Sequence, residues 1–174
     1  MSQQLSTRPE PTEYADYYHK YISRVAEGNI IAVLGSQIDN TVALLHGLSD
    51  AQAGFRYAPD KWSVKQVVGH LIDSERVFGY RAMRFARNDE TPLSGFEQND
   101  YVDAATFDDQ GLSDLTSEFE HVRRANLLML RGLGPDAWER RGEANGNAVS
   151  VRALAYIIAG HELHHVEIIR TKYL

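Results

Sequence analysis

Three histidines fall within five residues near the C-terminal end of the chain, in His161-Glu162-Leu163-His164-His165. Imidazole nitrogens are Lewis bases at neutral pH, so clustered histidines either move protons or hold a transition-metal cation. On a helix, residues four apart have Cβ atoms about 5–6 Å from one another, so the rings of His161 and His165 can reach one ion. Leu154, Ile158, His161, His165 and Ile168 advance in steps of four, three, four and three, which places both rings in one apolar, core-facing stripe. His164 leans to one side of it, as a neighbour of the pair or an exposed group. Upstream, Val67, His70, Ser74 and Val77 form a second stripe that turns His70 inward. A single inward histidine is more often a hydrogen-bonded core residue than a ligand. Three of them on two helices can offset the burial of their polar nitrogens by sharing a cation. His70, His161 and His165 are therefore the candidate metal ligands, and three imidazoles leave a coordination position open, as in catalytic sites. His19, His46 and His121 lie off both stripes and read as surface residues.

The same five residues match H-E-x-x-H, the zinc-protease signature in which the glutamate is the general base. Such proteases take their third ligand downstream, and the nine residues after His165 hold no further histidine. The third ligand must come from upstream, where His70 is the inward candidate. Glu162 is a weak candidate for a catalytic base, since it lies about 100° around the helix from His161. Arg81 and Asn126 fall on inward stripes and could orient an anionic substrate, or belong to a buried hydrogen-bond network. There is no cysteine, so thiolate ligands, disulfides and a catalytic thiol are excluded for this chain. Any sulfur chemistry would need a bound small thiol.

These residues need long helices to position them, and helical periodicity runs through the sequence. Tyr14 to Arg24 reads as a short helix closed by Gly28-Asn29. Ile31, Leu34, Ile38, Thr41, Leu45 and Leu48 mark one face of a helix over about 30–48. Ser63-Val64-Lys65-Gln66 is a capping box, with Trp62 and Val67 at staple positions, and predicts a helix to about Arg87. The stripe Leu115, Phe119, Val122, Asn126, Met129 and Leu133 predicts another, stopped by Gly134-Pro135. The last should start at Ser150 and run from Val151 almost to the C-terminus. Residues 49–61 read as a connection and 143–147 as a turn-rich approach to the final helix. Residues 90–110 form a long loop, where Phe96, Asn99, Asp100 and Tyr101 would cover a pocket or face a second copy. No period-two run is long enough to predict a sheet. The pattern predicts an all-α four-helix bundle with one or two short additional helices.

The length of 174 residues suits one domain, with residues 1–12 expected to be a flexible lead-in. A formal net charge of -6 and a pI near 5.6 argue against a nucleic-acid partner, which usually needs a basic surface. No apolar run approaches the roughly 20 residues that span a bilayer. The N-terminal residues lack the apolar core of a secretory signal, so the expected location is the cytoplasm.

Lys61-Trp62-Ser63 leading to Gly69-His70-Leu71-Ile72-Asp73, then Glu75-Arg76-Val77-Phe78-Gly79-Tyr80-Arg81, and finally Gly160-His161-Glu162-Leu163-His164-His165 together resemble the DinB-like superfamily of metal-binding four-helix bundles. The resemblance extends from about Tyr17 to Tyr173. It implies a three-histidine site for nickel or zinc on His70, His161 and His165, facing a pocket at one end of the bundle. It further implies a small-molecule substrate and either a transferase or isomerase that uses a low-molecular-weight thiol, or a hydrolase. It also implies a homodimer. The contrasting expectation is a non-catalytic metal-stabilised bundle that serves as a sensor or interaction module.

Overall fold

The long helices begin where a side chain can substitute for a missing backbone partner. In the computed structural model, which describes residues 7–174, Asn29 opens helix α2 (Ile30–His46) by accepting from the Ile31 and Ala32 amides. Ser63 opens α4 (Val64–Ala86) with the capping box expected of it: its hydroxyl accepts from the Gln66 amide, and the Gln66 side chain accepts from the Ser63 amide. Ser150 opens α8 (Val151–Ile168), accepting from the Ala153 amide at 2.9 Å, and a turn of π-helix over Ile169–Tyr173 follows. The remaining long helix, α6 (Leu112–Arg131), starts at Gly111 without a side-chain cap. α4 packs between α6 and α8, and α2 lies against α6 and α8, so the four close into a bundle.

Shorter elements decorate it. The expected first helix is split into a 3-10 turn, Asp16–Tyr18, and the single α-turn α1 (His19–Ile22), which packs on α8. Gly160 makes that contact possible, because a Cβ there would collide with the carbonyl oxygen of Tyr21. Two stretches expected as loop hold short helices: α3 (Asp50–Gly54) and α5 (Gln98–Ala104). α7 (Pro135–Glu139) follows α6. The absence of any sheet is corrected by a hairpin, β1 (Arg141–Ala144) and β2 (Asn147–Ser150), paired in register from Arg141↔Ser150 to Ala144↔Asn147. Its turn residues, Asn145 (φ 53°) and Gly146 (φ 72°), are both left-handed, as a two-residue hairpin turn requires. Strands of four residues are too short to show alternation. Leu93 bonds alongside, donating to Glu143 O and accepting from the Asn145 amide, both at 2.9 Å.

The apolar core falls into two clusters. One holds Leu34, Phe78, Phe85, Leu127, Leu154 and Ile158; the other holds Ile38, Val68, Ile72, Leu115, Phe119 and Ile169. Between these segments α4 carries Ser74 and Glu75, with His70 one turn earlier, α6 carries Arg123, and α8 carries His161 and Glu162, all of them buried. The bundle thus has a polar waist between two oily halves.

The expectation that residues 1–12 are flexible falls in part on 1–6, outside the described residues. From Arg8 the segment is bonded to the bundle, with the Arg8 guanidinium donating to Ile22 O at 2.5 Å and Val25 O at 2.6 Å. Glu13, 3% exposed, accepts from Ser150 Oγ at 2.7 Å and from Arg152 Nη2 at 2.5 Å, which ties the N-terminal segment to the start of α8. Burial alone would raise the Glu13 carboxyl, but bonds from Arg152, the Glu10 backbone and Ser150 outweigh it and hold the carboxyl below its ordinary range. A carboxyl depressed in the folded state contributes stability above its unfolded pKa and loses it as pH falls through the folded value. Glu13→Gln is expected to lower stability by about 1–3 kcal/mol at pH 7. The gap from the unsubstituted protein should close in acid, and urea unfolding at pH 7 and pH 3 checks both parts. Equal stabilities at pH 7 would remove this ion pair from the account.

Candidate metal centre

His70 comes from the second turn of α4, and His161 and His165 from the C-terminal half of α8. The fold turns all three into the waist, where one ligand atom of each lies within 4.8 Å of the other two. His70 Nε2 and His161 Nε2 are 3.0 Å apart. The ring centroids of His165 stand 4.9 Å from those of His70 and 4.6 Å from those of His161. Two imidazole nitrogens on one tetrahedral ion, each at about 2.0–2.1 Å, would be about 3.3 Å apart. The observed pair needs only a few tenths of an ångström to reach that spacing, so the residues fit a shared cation.

Aromatic rings and one hydroxyl hold the imidazoles in place. Trp62 lies 4.9 Å from His70, and Tyr21 and Phe78 stand edge-on to His161 at 5.3 and 6.0 Å. Ser74 Oγ is 3.5 Å from His70 Nδ1, at the limit of a hydrogen bond. Burial depresses the pKa of all three histidines, and neighbouring histidines add to the effect. His70 is brought down to about 4, so its lone pair stays free at neutral pH. His164 stands beside the group, its ring 5.0 Å from His165 and 5.4 Å from Tyr21. His19, His46 and His121 are exposed, as expected.

A cavity of about 330 Å³ opens onto His70, His161 and Ser74. Its walls come from three distant parts of the chain: Tyr17, Tyr18 and Tyr21 near the N-terminus, Phe96, Glu97 and Gln98, and Asn145 and Asn147 of the hairpin tip. Of the long loop's expected cover, Phe96 lines the cavity, whereas Tyr101 packs against Phe96 at 5.2 Å and is 47% exposed. The tyrosines and the hairpin asparagines carry no sequence signal beyond a Tyr-rich stretch and an Asn-Gly turn.

Glu162 is brought to the waist but not to the cavity. Its carboxylate accepts from Thr41 Oγ1 at 2.6 Å and from Arg123 Nη1 at 2.7 Å, and the residue is 1% exposed. Both oxygens are thus engaged in hydrogen bonds, and Glu162, the candidate base, is not among the residues that line the histidine cavity. Arg123, equally buried, also grips Glu75 through Nε at 3.0 Å and Nη2 at 2.9 Å. Asn126 donates to Glu75 Oε1 at 2.9 Å and belongs to this network, not to a substrate site. Arg81 donates to Ser94 O at 3.0 Å and does not line the cavity.

Residues 34–169 match the family model of the DinB superfamily. No curated protein sequence matches the chain. Among solved structures, the fold is similar to that of YfiT from Bacillus subtilis, described as a probable metal-dependent hydrolase with an unusual four-helix bundle topology. That likeness has a TM-score of 0.70 at 17% identity and covers 95% of this chain and 90% of YfiT.

Removing one partner of a buried ion pair leaves an uncompensated charge. Arg123→Met is therefore expected to destabilise the protein by about 3–5 kcal/mol, and adding Glu75→Leu and Glu162→Leu to recover part of that loss. Urea unfolding of the two variants checks the pair of outcomes; a loss below about 1 kcal/mol for the single substitution contradicts the role given to Arg123.

Proposed function

The chain belongs to the DinB superfamily, and from that premise we propose that it is a metal-dependent hydrolase whose one divalent cation is held by His70, His161 and His165. The observation that carries this reading is the convergence of three neutral imidazoles from two helices, two of which open onto a cavity of substrate size. The description of YfiT favours hydrolysis among the reactions such a site could serve. Imidazole donors suit nickel and zinc, which we take as the candidate ions. A divalent cation there supplies Lewis acidity, which makes a nucleophile available near neutral pH.

The chain's own residues do the rest. Burial keeps the histidine lone pairs unprotonated, and Trp62, Tyr21 and Phe78 restrict the ring orientations. Ser74 stands where it can turn His70 Nε2 towards the shared position. Phe96 and the hairpin tip enclose the substrate and limit water. A low-molecular-weight thiol as cosubstrate would turn the same site into a transferase, and a chain without cysteine would have to take it from solution. A purely structural metal site would be closed, and the cavity against two of the three rings favours the enzyme.

Calorimetric titration of metal-free protein with nickel or zinc is expected to show one ion per chain and a raised Tm. Substituting His70, His161 or His165 by Ala should each weaken binding by about 100-fold or more, and His164→Ala by less than tenfold. A His70→Ala variant with full affinity refutes the ligand set. Metal-loaded protein is expected to hydrolyse members of an ester and amide panel, and to stop in EDTA. Turnover only when a small thiol and an electrophile are both present replaces the hydrolase with the transferase. Inertness towards both panels leaves the non-catalytic module.

A further inference from the structure

The cavity has a floor and a mouth. Ser74, His70 and His161 are 1%, 2% and 6% exposed, whereas Tyr17 is 59% exposed and Glu97 is exposed as well. Aromatic rings fill the distance between them, from Tyr18, Tyr21, Phe78 and Phe96. Among the described residues, no Lys or Arg lines this space, and Glu97 supplies its one formal charge at neutral pH. Glu97 has no ion-pair partner among the described residues. Its Oε1 accepts from the Asn99 amide at 3.1 Å, as the N-cap of α5, and from Asn99 Nδ2 at 3.2 Å. Arg81 is not in the lining: its guanidinium donates to Ser94 O at 3.0 Å, hydrogen-bonds the Tyr18 side chain and stands 5.9 Å from the Phe78 ring centroid.

The ring faces at the mouth already carry a cation. Lys20 Nζ sits 3.8 Å from the Tyr17 ring centroid and 4.9 Å from that of Tyr21. Aromatic faces present negative potential, and a carboxylate beside several of them favours an ammonium group over a neutral or anionic one. We propose that the substrate of this cavity carries a small organic cation, an alkylammonium or protonated amine, seated at the mouth between the Tyr17 ring and the Glu97 carboxylate. The group to be attacked then reaches the histidines at the floor, with the substrate's positive end held away from the resident ion. This inference rests on the cavity being the substrate site of the proposed enzyme.

Three probes of matched shape and different charge test it: choline, 3,3-dimethylbutan-1-ol and 3,3-dimethylbutanoate. Binding is followed by NMR of protein with 13C-labelled tyrosine rings, with and without nickel. Choline is expected to bind about tenfold or more tightly than the alcohol, to shift the Tyr17 and Tyr21 ring signals, and to outcompete the anion in nickel-free protein. Glu97→Gln and Tyr17→Leu should each weaken choline about threefold or more, and by a larger factor than they weaken the alcohol. Binding of the alcohol at least as tight as that of choline overturns the inference, as does a choline preference that neither substitution reduces. Nickel uptake measured on the same samples keeps the readings apart. Choline preference in protein that takes no nickel removes the metal reading and leaves the cation seat standing; normal nickel uptake without choline preference does the reverse.

Discussion

The Arg123 guanidinium joins four helices at one level of the bundle. It reaches Glu75 on α4 and Glu162 on α8 from its own place on α6, while Thr41 on α2 donates to the same Glu162 carboxylate. All four residues are buried. Taking these charges out of water is expensive, and an apolar layer of similar volume would often be as stable or more so. What the network adds is direction. A leucine tolerates small slides and rotations of its helix, whereas a two-pronged guanidinium–carboxylate bond does not. The waist thereby sets the register of helices whose oily halves could pack in several ways.

The histidines depend on that register. His161 precedes Glu162, and Ser74, the neighbour of Glu75, approaches His70. Fixing the two carboxylates on Arg123 therefore fixes the rotation of α4 and α8 that brings the imidazoles together. A second constraint acts from outside. The bare backbone at Gly160 lets the N-terminal turn come close enough for Tyr21 to rest against His161. Site geometry is thus held by a polar clamp on one side of α8 and by close main-chain contact on the other.

The parts of this arrangement that the sequence reveals are those governed by local rules. The Ser63 capping box, the Asn145-Gly146 turn and the four-residue spacing of His161 and His165 each express short-range geometry, although the turn announces a hairpin only once its strands are found. Helix α6 shows where such reading stops. Its expected stripe passes through Val122, Asn126, Met129 and Leu133, but the buried seam runs through Leu115, Phe119, Arg123, Leu127 and Leu130. A charged residue at position 123 looks like solvent-facing surface until its two carboxylate partners, 48 and 39 residues away, are brought beside it. The cavity wall was hidden for the same reason. Its tyrosines, its loop aromatic and its hairpin amides are joined by tertiary contacts that no local pattern encodes.

The short main-chain pairing of Leu93 with the hairpin separates two kinds of evolutionary freedom. Main-chain bonds anchor the start of the cavity's loop wall, at Leu93, to residues 143 and 145, and they do so whatever side chain stands at 93. Substitutions at Phe96, Glu97 or Asn147 can change what the opening admits without disturbing the clamp that aligns the imidazoles. A lineage built on this scaffold can retune its choice of small molecule at the rim and keep one unaltered reaction centre beneath it.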